Sequence, residues 1–222
     1  MNKNQRQNPT ARKEVITARE FIRHYMEPFL VGSPDGSDDP RPEMIELLKA
    51  GKEDEVIQRH DPDTERLPSD PRALLHLVNA YLQRGDPGDV ARAKTLCEVA
   101  IDYFARRGEC ERQATAIAQR ARVAWREEGV DAAMALLWRA INEVDSENET
   151  AWGNVFCYLS ASRRGDLLED AVGKFETTVP DWFTRPFFIR HYREDAMLSW
   201  ARGQASFAPI MQRLSEVNQK NA

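Results

Sequence analysis

The stretch EEGVDAAMALLWRAINEVDSENETAW, Glu127 to Trp152, decides the fold. A glycine comes first, then Ala133 and Ala140 seven residues apart, then an acidic loop, then a tryptophan that opens a new apolar stripe. Ala133, Leu137, Ala140 and Ile141 stand at offsets 0, 4, 7 and 8, so one stripe of a helix carries all four. The small residues at the first and third positions let a neighbouring helix approach closely.

The same template recurs on both sides. Upstream it is Ala93, Cys97, Ala100 and Ile101; downstream it is Ala171, Phe175, Thr178 and Val179. The helices that precede these carry their own stripes: Leu74, Leu77, Val78 and Tyr81; Ala114, Ile117, Ala118, Ala121 and Trp125; Trp152, Val155, Phe156 and Leu159. Glycines at 51, 85, 129, 165 and 203, at intervals of 34, 44, 36 and 38, separate one helix from the next. No apolar alternation of period two is long enough for a strand, so the expected class is all-α.

Outside this region, TARKEVITAREFIRHYMEPFL predicts an amphipathic helix over 11–30, behind a polar tail over 1–10. VGSPDGSDDPRP, dense in turn residues, predicts a loop over 31–41; its aspartates do not meet the calcium-loop pattern. PEMIELLKAGKEDEVIQRH reads as two short helices broken at Gly51, which opens a helical domain over 42–222. SFAPIMQRLSEVNQK puts Phe207, Ile210, Met211, Leu214 and Val217 on one side, as a terminal capping helix requires.

The repeat resembles the tetratricopeptide repeat. HLVNAYLQRG supplies the Tyr81 and Gly85 part of that motif, AKTLCEVA and AMALLWRA its second-helix part, and AINEVDSENETAW its inter-repeat linker, with Ser146 where proline is usual. The resemblance covers about residues 71–180 and extends more weakly to 42–60 and 185–218. It implies a right-handed α-α superhelix, a solenoid of about four to five antiparallel helix pairs with an extra N-terminal helix. Spacings above the family's 34 residues and the turn RGDPGDV mark the repeats as divergent. The resemblance also implies a concave face that takes a peptide or partner helix, to which Arg72, Leu75, Asn79 and Leu82, then Gln119, Val123 and Arg126, project. Asn79 stands where relatives hold a peptide backbone.

A second candidate comes from comparing the repeats with one another. Five residues after the template alanine stand Glu98 and Glu176, marking a solvent-facing position, but the middle repeat has Trp138, with Met134 one turn before it. A tryptophan where the pattern places a charge is either an interface anchor or covered by a neighbouring helix.

Composition narrows the function further. The chain has 222 residues, enough to bury roughly 70% of its unfolded surface without a disulfide or metal. Its three cysteines, Cys97, Cys110 and Cys157, lack paired or zinc-binding spacing, and the first and last of these read as small core residues in a reducing, cytoplasmic compartment. The formal net charge is −5, with an acidic stretch over 31–71 between basic ends, and no basic run suits nucleic acid. No apolar run is long enough to insert in a membrane. Phosphate-binding, metalloprotease and nucleophile-elbow motifs are absent, and the four histidines are scattered. The expectation is a non-catalytic adaptor, scaffold or chaperone without cofactor that binds a protein or peptide; the alternatives are a homo-oligomeric assembly element and an enzyme with dispersed carboxylates.

Overall fold

Proline at the start of a helix sacrifices no hydrogen bond, because the first amide groups have no partner within the helix. Pro42 accordingly sits in the first turn of α1 (Arg41–Lys49), so the loop expected through residue 41 ends one residue early, at Pro40. The computed structural model describes residues 40–63 and 73–220, with side chains to residue 217. The expected tail over 1–10, the helix over 11–30, the rest of the loop over 31–41, and Arg72 lie outside the described residues. Among the described residues every regular element is helical and none is a strand.

Gly51, with φ 71°, separates α1 from α2 (Glu53–His60) as expected. α3 (Leu74–Arg84) stops at Gly85, whose left-handed φ of 72° lets its N–H reach the Tyr81 carbonyl. α4 (Asp89–Arg106), α5 (Cys110–Glu127) and α6 (Val130–Arg139) follow, and α6 widens into a π-helical turn over Ala140–Val144. Asn148 then caps α7 (Glu149–Ser162), accepting from the Ala151 N–H at 3.0 Å. Its amide also donates to the Glu111 carbonyl of α5, while the buried Trp152 indole donates to the Ser146 carbonyl at 2.8 Å. The linker is thus tied at both ends.

Two of the five glycines do not end helices. In the turn between α7 and α8 (Gly165–Thr178) the left-handed residue is Arg163, φ 55°, and Gly165 opens α8 instead. A side chain there costs about 1–2 kcal/mol, which the bonds from Arg163 N–H to Ser160 O and Arg164 N–H to Leu159 O help offset. Gly203 sits in a single 3-10 turn, Ala201–Gly203. The segment over 185–218, expected as a weak further repeat, is α9 (Pro186–Glu194), short turns over 196–207, and α10 (Ala208–Lys220), rather than a glycine-separated pair. Phe207, Ile210 and Leu214 are buried there.

The template residues lie at the packing seams. Ala93, Cys97 and Ala100, Ala133, Leu137, Ala140 and Ile141, and Ala171, Phe175 and Val179 are all buried, with Ile101 and Thr178 half-buried. Each of α3 to α6 packs on the next helix in the chain, and α5 also touches both α3 and α7. Two apolar clusters result, one built on α1–α4 and one on α5–α10, and α5 contributes to both. The second is dominated by rings: Trp152, Phe156, Phe175, Trp182, Phe188, Tyr192 and Phe207 form a chain in which each ring centre lies within about 6 Å of another, in edge, tilted or stacked contacts. No described helix is long and apolar enough to cross a membrane.

Candidate functional site

The residues projected onto a concave face are mostly used inside the molecule. Asn79, Leu82, Gln119 and Val123 are buried, and Leu75 and Arg126 are half-buried. The reason is the position of α5. An 18-residue helix packed on both the preceding and following helices buries more than one stripe, so Val123 joins the α1–α4 cluster while Ile117 and Ala121 join the other. Polar members of the row are brought together by one cation: Arg122 Nη1 donates to Asn79 Oδ1 at 2.5 Å and to Gln119 Oε1 at 2.6 Å. Asn79 therefore ties α3 to α5, and Leu82, Gln119 and Val123 present no surface to a peptide.

Trp138 is half-buried, and Met134 is buried. One edge of the Trp138 indole meets Trp152 at 5.8 Å and 83°, and the Lys174 ammonium lies 4.9 Å from the ring centre. The ring is anchored from beneath and flanked by a cation, which leaves part of it accessible.

Below α3 a charged network joins three helices. Asp61, just past α2, accepts from Tyr81 Oη at 2.7 Å, from Arg92 Nε at 2.9 Å and from Arg92 Nη2 at 2.6 Å. Burial first, then this bond, pushes the Tyr81 phenol far above its usual range. Beside it Arg84 grips Asp89 with two bonds, of 3.0 and 2.6 Å.

A chemically distinct group lies between α7 and α9. Cys157, His191 and Asp195 bring a thiol, an imidazole and a carboxylate together. Cys157 Sγ is 3.7 Å from His191 Nε2 and 3.9 Å from Asp195 Oδ2, and His191 Nδ1 is 3.2 Å from that same oxygen. Nε2 also stands 3.3 Å from the Gly153 carbonyl. The ring reaches this close because residue 153 is glycine: a Cβ there would come within 3.3 Å of Nε2 and 3.4 Å of the Phe187 ring. Asp195 divides its oxygens, with Oδ1 accepting from the Met197 N–H at 2.8 Å and Oδ2 facing the cluster. Arg202 donates to the Tyr192 and Asp195 carbonyls and closes the end of α9. Cys157 and His191 are each only 2% exposed, and burial pushes the thiol well above its usual range.

Sequence reasoning placed Cys157 in the core correctly but did not join it to His191 and Asp195. The i, i+4 spacing of the last two was readable; the approach of α9 to α7 through Gly153 was not. Comparison with protein-family models, curated proteins and solved structures found no match to this chain.

Proposed function

We propose that this chain is a tetratricopeptide-like helical-repeat module that binds a protein or peptide partner and performs no chemistry on it. The observation that carries the reading is the recurrence of one seating stripe, Ala93/Cys97/Ala100, Ala133/Leu137/Ala140 and Ala171/Phe175, buried at equivalent places in three successive helix pairs. Side-by-side contact of α3, α5 and α7 accords with a superhelix in which first helices form one row. In such a row the groove-facing set is smaller than the family pattern implies, because α5 consumes Gln119 and Val123. Leu75 and Arg126 remain on it, with Trp138 as a separate half-open aromatic on a second helix.

The test is affinity capture by the full chain from soluble extract of its source, run with wild type, Arg126→Glu and Trp138→Ala, followed by calorimetric titration of each retained protein after purification. The module reading expects a saturable partner whose affinity falls at least about tenfold in one variant, the effect of losing a single hot-spot contact. Retention of nothing but further copies of the chain, with mass rising with concentration, would replace it with self-assembly.

A further inference from the structure

We propose that Cys157, His191 and Asp195 form a binding site for a divalent transition metal ion of the zinc class, pinning α9 to α7. The argument begins with how the three groups converge. In a proton relay, the imidazole stands between thiol and carboxylate and keeps them apart by its own width. Here Asp195 Oδ2 lies 3.2 Å from Nδ1 and 3.9 Å from the sulfur, and the sulfur lies 3.7 Å from Nε2, so thiol and carboxylate meet directly at the ring instead of being held apart by it. Ligand atoms on a tetrahedral zinc, with bonds of about 2.0–2.3 Å, lie about 3.3–3.6 Å from one another. One ligand atom from each of the three residues lies within 4.8 Å of the others, so side-chain shifts can bring them to that spacing.

The surroundings fit ligation too. Metal-binding imidazoles direct their second nitrogen to a carboxylate or backbone carbonyl, which fixes the tautomer. Nε2 is 3.3 Å from the Gly153 carbonyl and 3.7 Å from the sulfur; with that carbonyl holding Nε2, the ion falls to Nδ1, beside Asp195 Oδ2, and the sulfur has to swing towards it. The other Asp195 oxygen is held by Met197 N–H, and the carbonyl of the same residue by Arg202, so the carboxylate is fixed before any ion arrives. A thiolate, an imidazole nitrogen and a carboxylate are the donor set that zinc shares with cobalt(II), not with magnesium or calcium. On binding, the sulfur–metal bond replaces the sulfur–hydrogen bond and one proton leaves to solvent. The divalent ion with one thiolate and one carboxylate is neutral as a unit, which suits a site nearly closed to water. One position remains beyond these three ligands.

The probe is cobalt(II), followed by zinc in competition. The full chain is unfolded, refolded with cobalt(II) so that burial does not bar entry, and freed of excess ion. A thiolate-to-cobalt charge-transfer band in the near ultraviolet, tetrahedral bands in the visible, and one equivalent of metal per chain are expected, all displaced by one equivalent of zinc. Cys157→Ser should abolish the charge-transfer band and weaken cobalt binding by more than the roughly 10–100-fold loss typical of outer-shell changes, whereas Cys97→Ala and Cys110→Ala should keep both. Absence of the band and of stoichiometric metal in folded wild type would overturn the proposal. So would a band that survives Cys157→Ser, or one that disappears with Cys97→Ala or Cys110→Ala in a folded protein.

Discussion

Replacing Asp61 with alanine should be among the most damaging single substitutions outside the apolar cores. The Asp61 side chain is 1% exposed and that of Arg92 13%, so the pair is largely withdrawn from water. Removing the carboxylate leaves the Arg92 guanidinium without the two bonds it makes there and the Tyr81 hydroxyl without its acceptor. Breaking a buried pair from one side costs about 3–5 kcal/mol; the residual access of Arg92 puts the expected loss near the lower end, about 3 kcal/mol. For a chain of this size each kcal/mol moves Tm by about 2–4 °C, so a fall of about 6–12 °C follows. Scanning calorimetry and urea unfolding would read it. In a double-mutant cycle, Arg92→Met should recover part of the loss, because replacing both charges removes the buried guanidinium whose carboxylate partner is gone. A loss below about 1 kcal/mol, typical of solvent-exposed pairs, or purely additive substitutions, would refute the claim that this network clamps α2 to α3 and α4.

Three further outcomes follow from the same geometry. Asn148→Ala should destabilise by about 1–2 kcal/mol through loss of the α7 cap, seen as a lower urea midpoint, while Asn148→Asp should restore the cap but not the bond to the Glu111 carbonyl. Of the three thiols, Cys110 alone is exposed, and burial pushes Cys97 up to about 12, so a disulfide reagent should modify one thiol quickly and the other two only on unfolding. Glu149 has its carboxyl raised chiefly by burial, with Arg185 opposing. Its folded value lies above the unfolded one, so its contribution is fully present below the unfolded value and is lost as pH rises through the folded one. Glu149→Gln should therefore gain in Tm over wild type at about pH 7 and lose that advantage towards about pH 4, and a difference independent of pH would contradict the assignment.

The parts of the fold legible in the chain were those set by local period. Offsets of 0, 4, 7 and 8 identify a buried stripe wherever a helix forms, and Ala133, Leu137, Ala140 and Ile141 are buried even though the last two lie in a π turn. Gly51, Gly85 and Gly129 adopt positive φ between helices, but at the α7–α8 turn hydrogen bonds let Arg163 take that conformation, which composition does not reveal. What stayed hidden depends on which helices touch. Gln119 and Val123 looked groove-facing from one helix considered alone, and become interior when α5 packs on two sides. Trp138 was recognisable as out of place among glutamates, yet its contact with Trp152 and Lys174 needs residues brought from separate helices. The Cys157 cluster was hidden for the same reason, since 34 residues of chain separate it from His191.

Hydrogen exchange read by mass spectrometry, on the full chain with and without its purified captured partner, tests the central claim most directly. The account predicts protection in peptides carrying Leu75 and Arg126 on α3 and α5, or in the peptide around Trp138, with α9 and α10 unchanged. Protection confined to α9 and α10, or no protection at saturating partner, would contradict a repeat module that binds through its helix row.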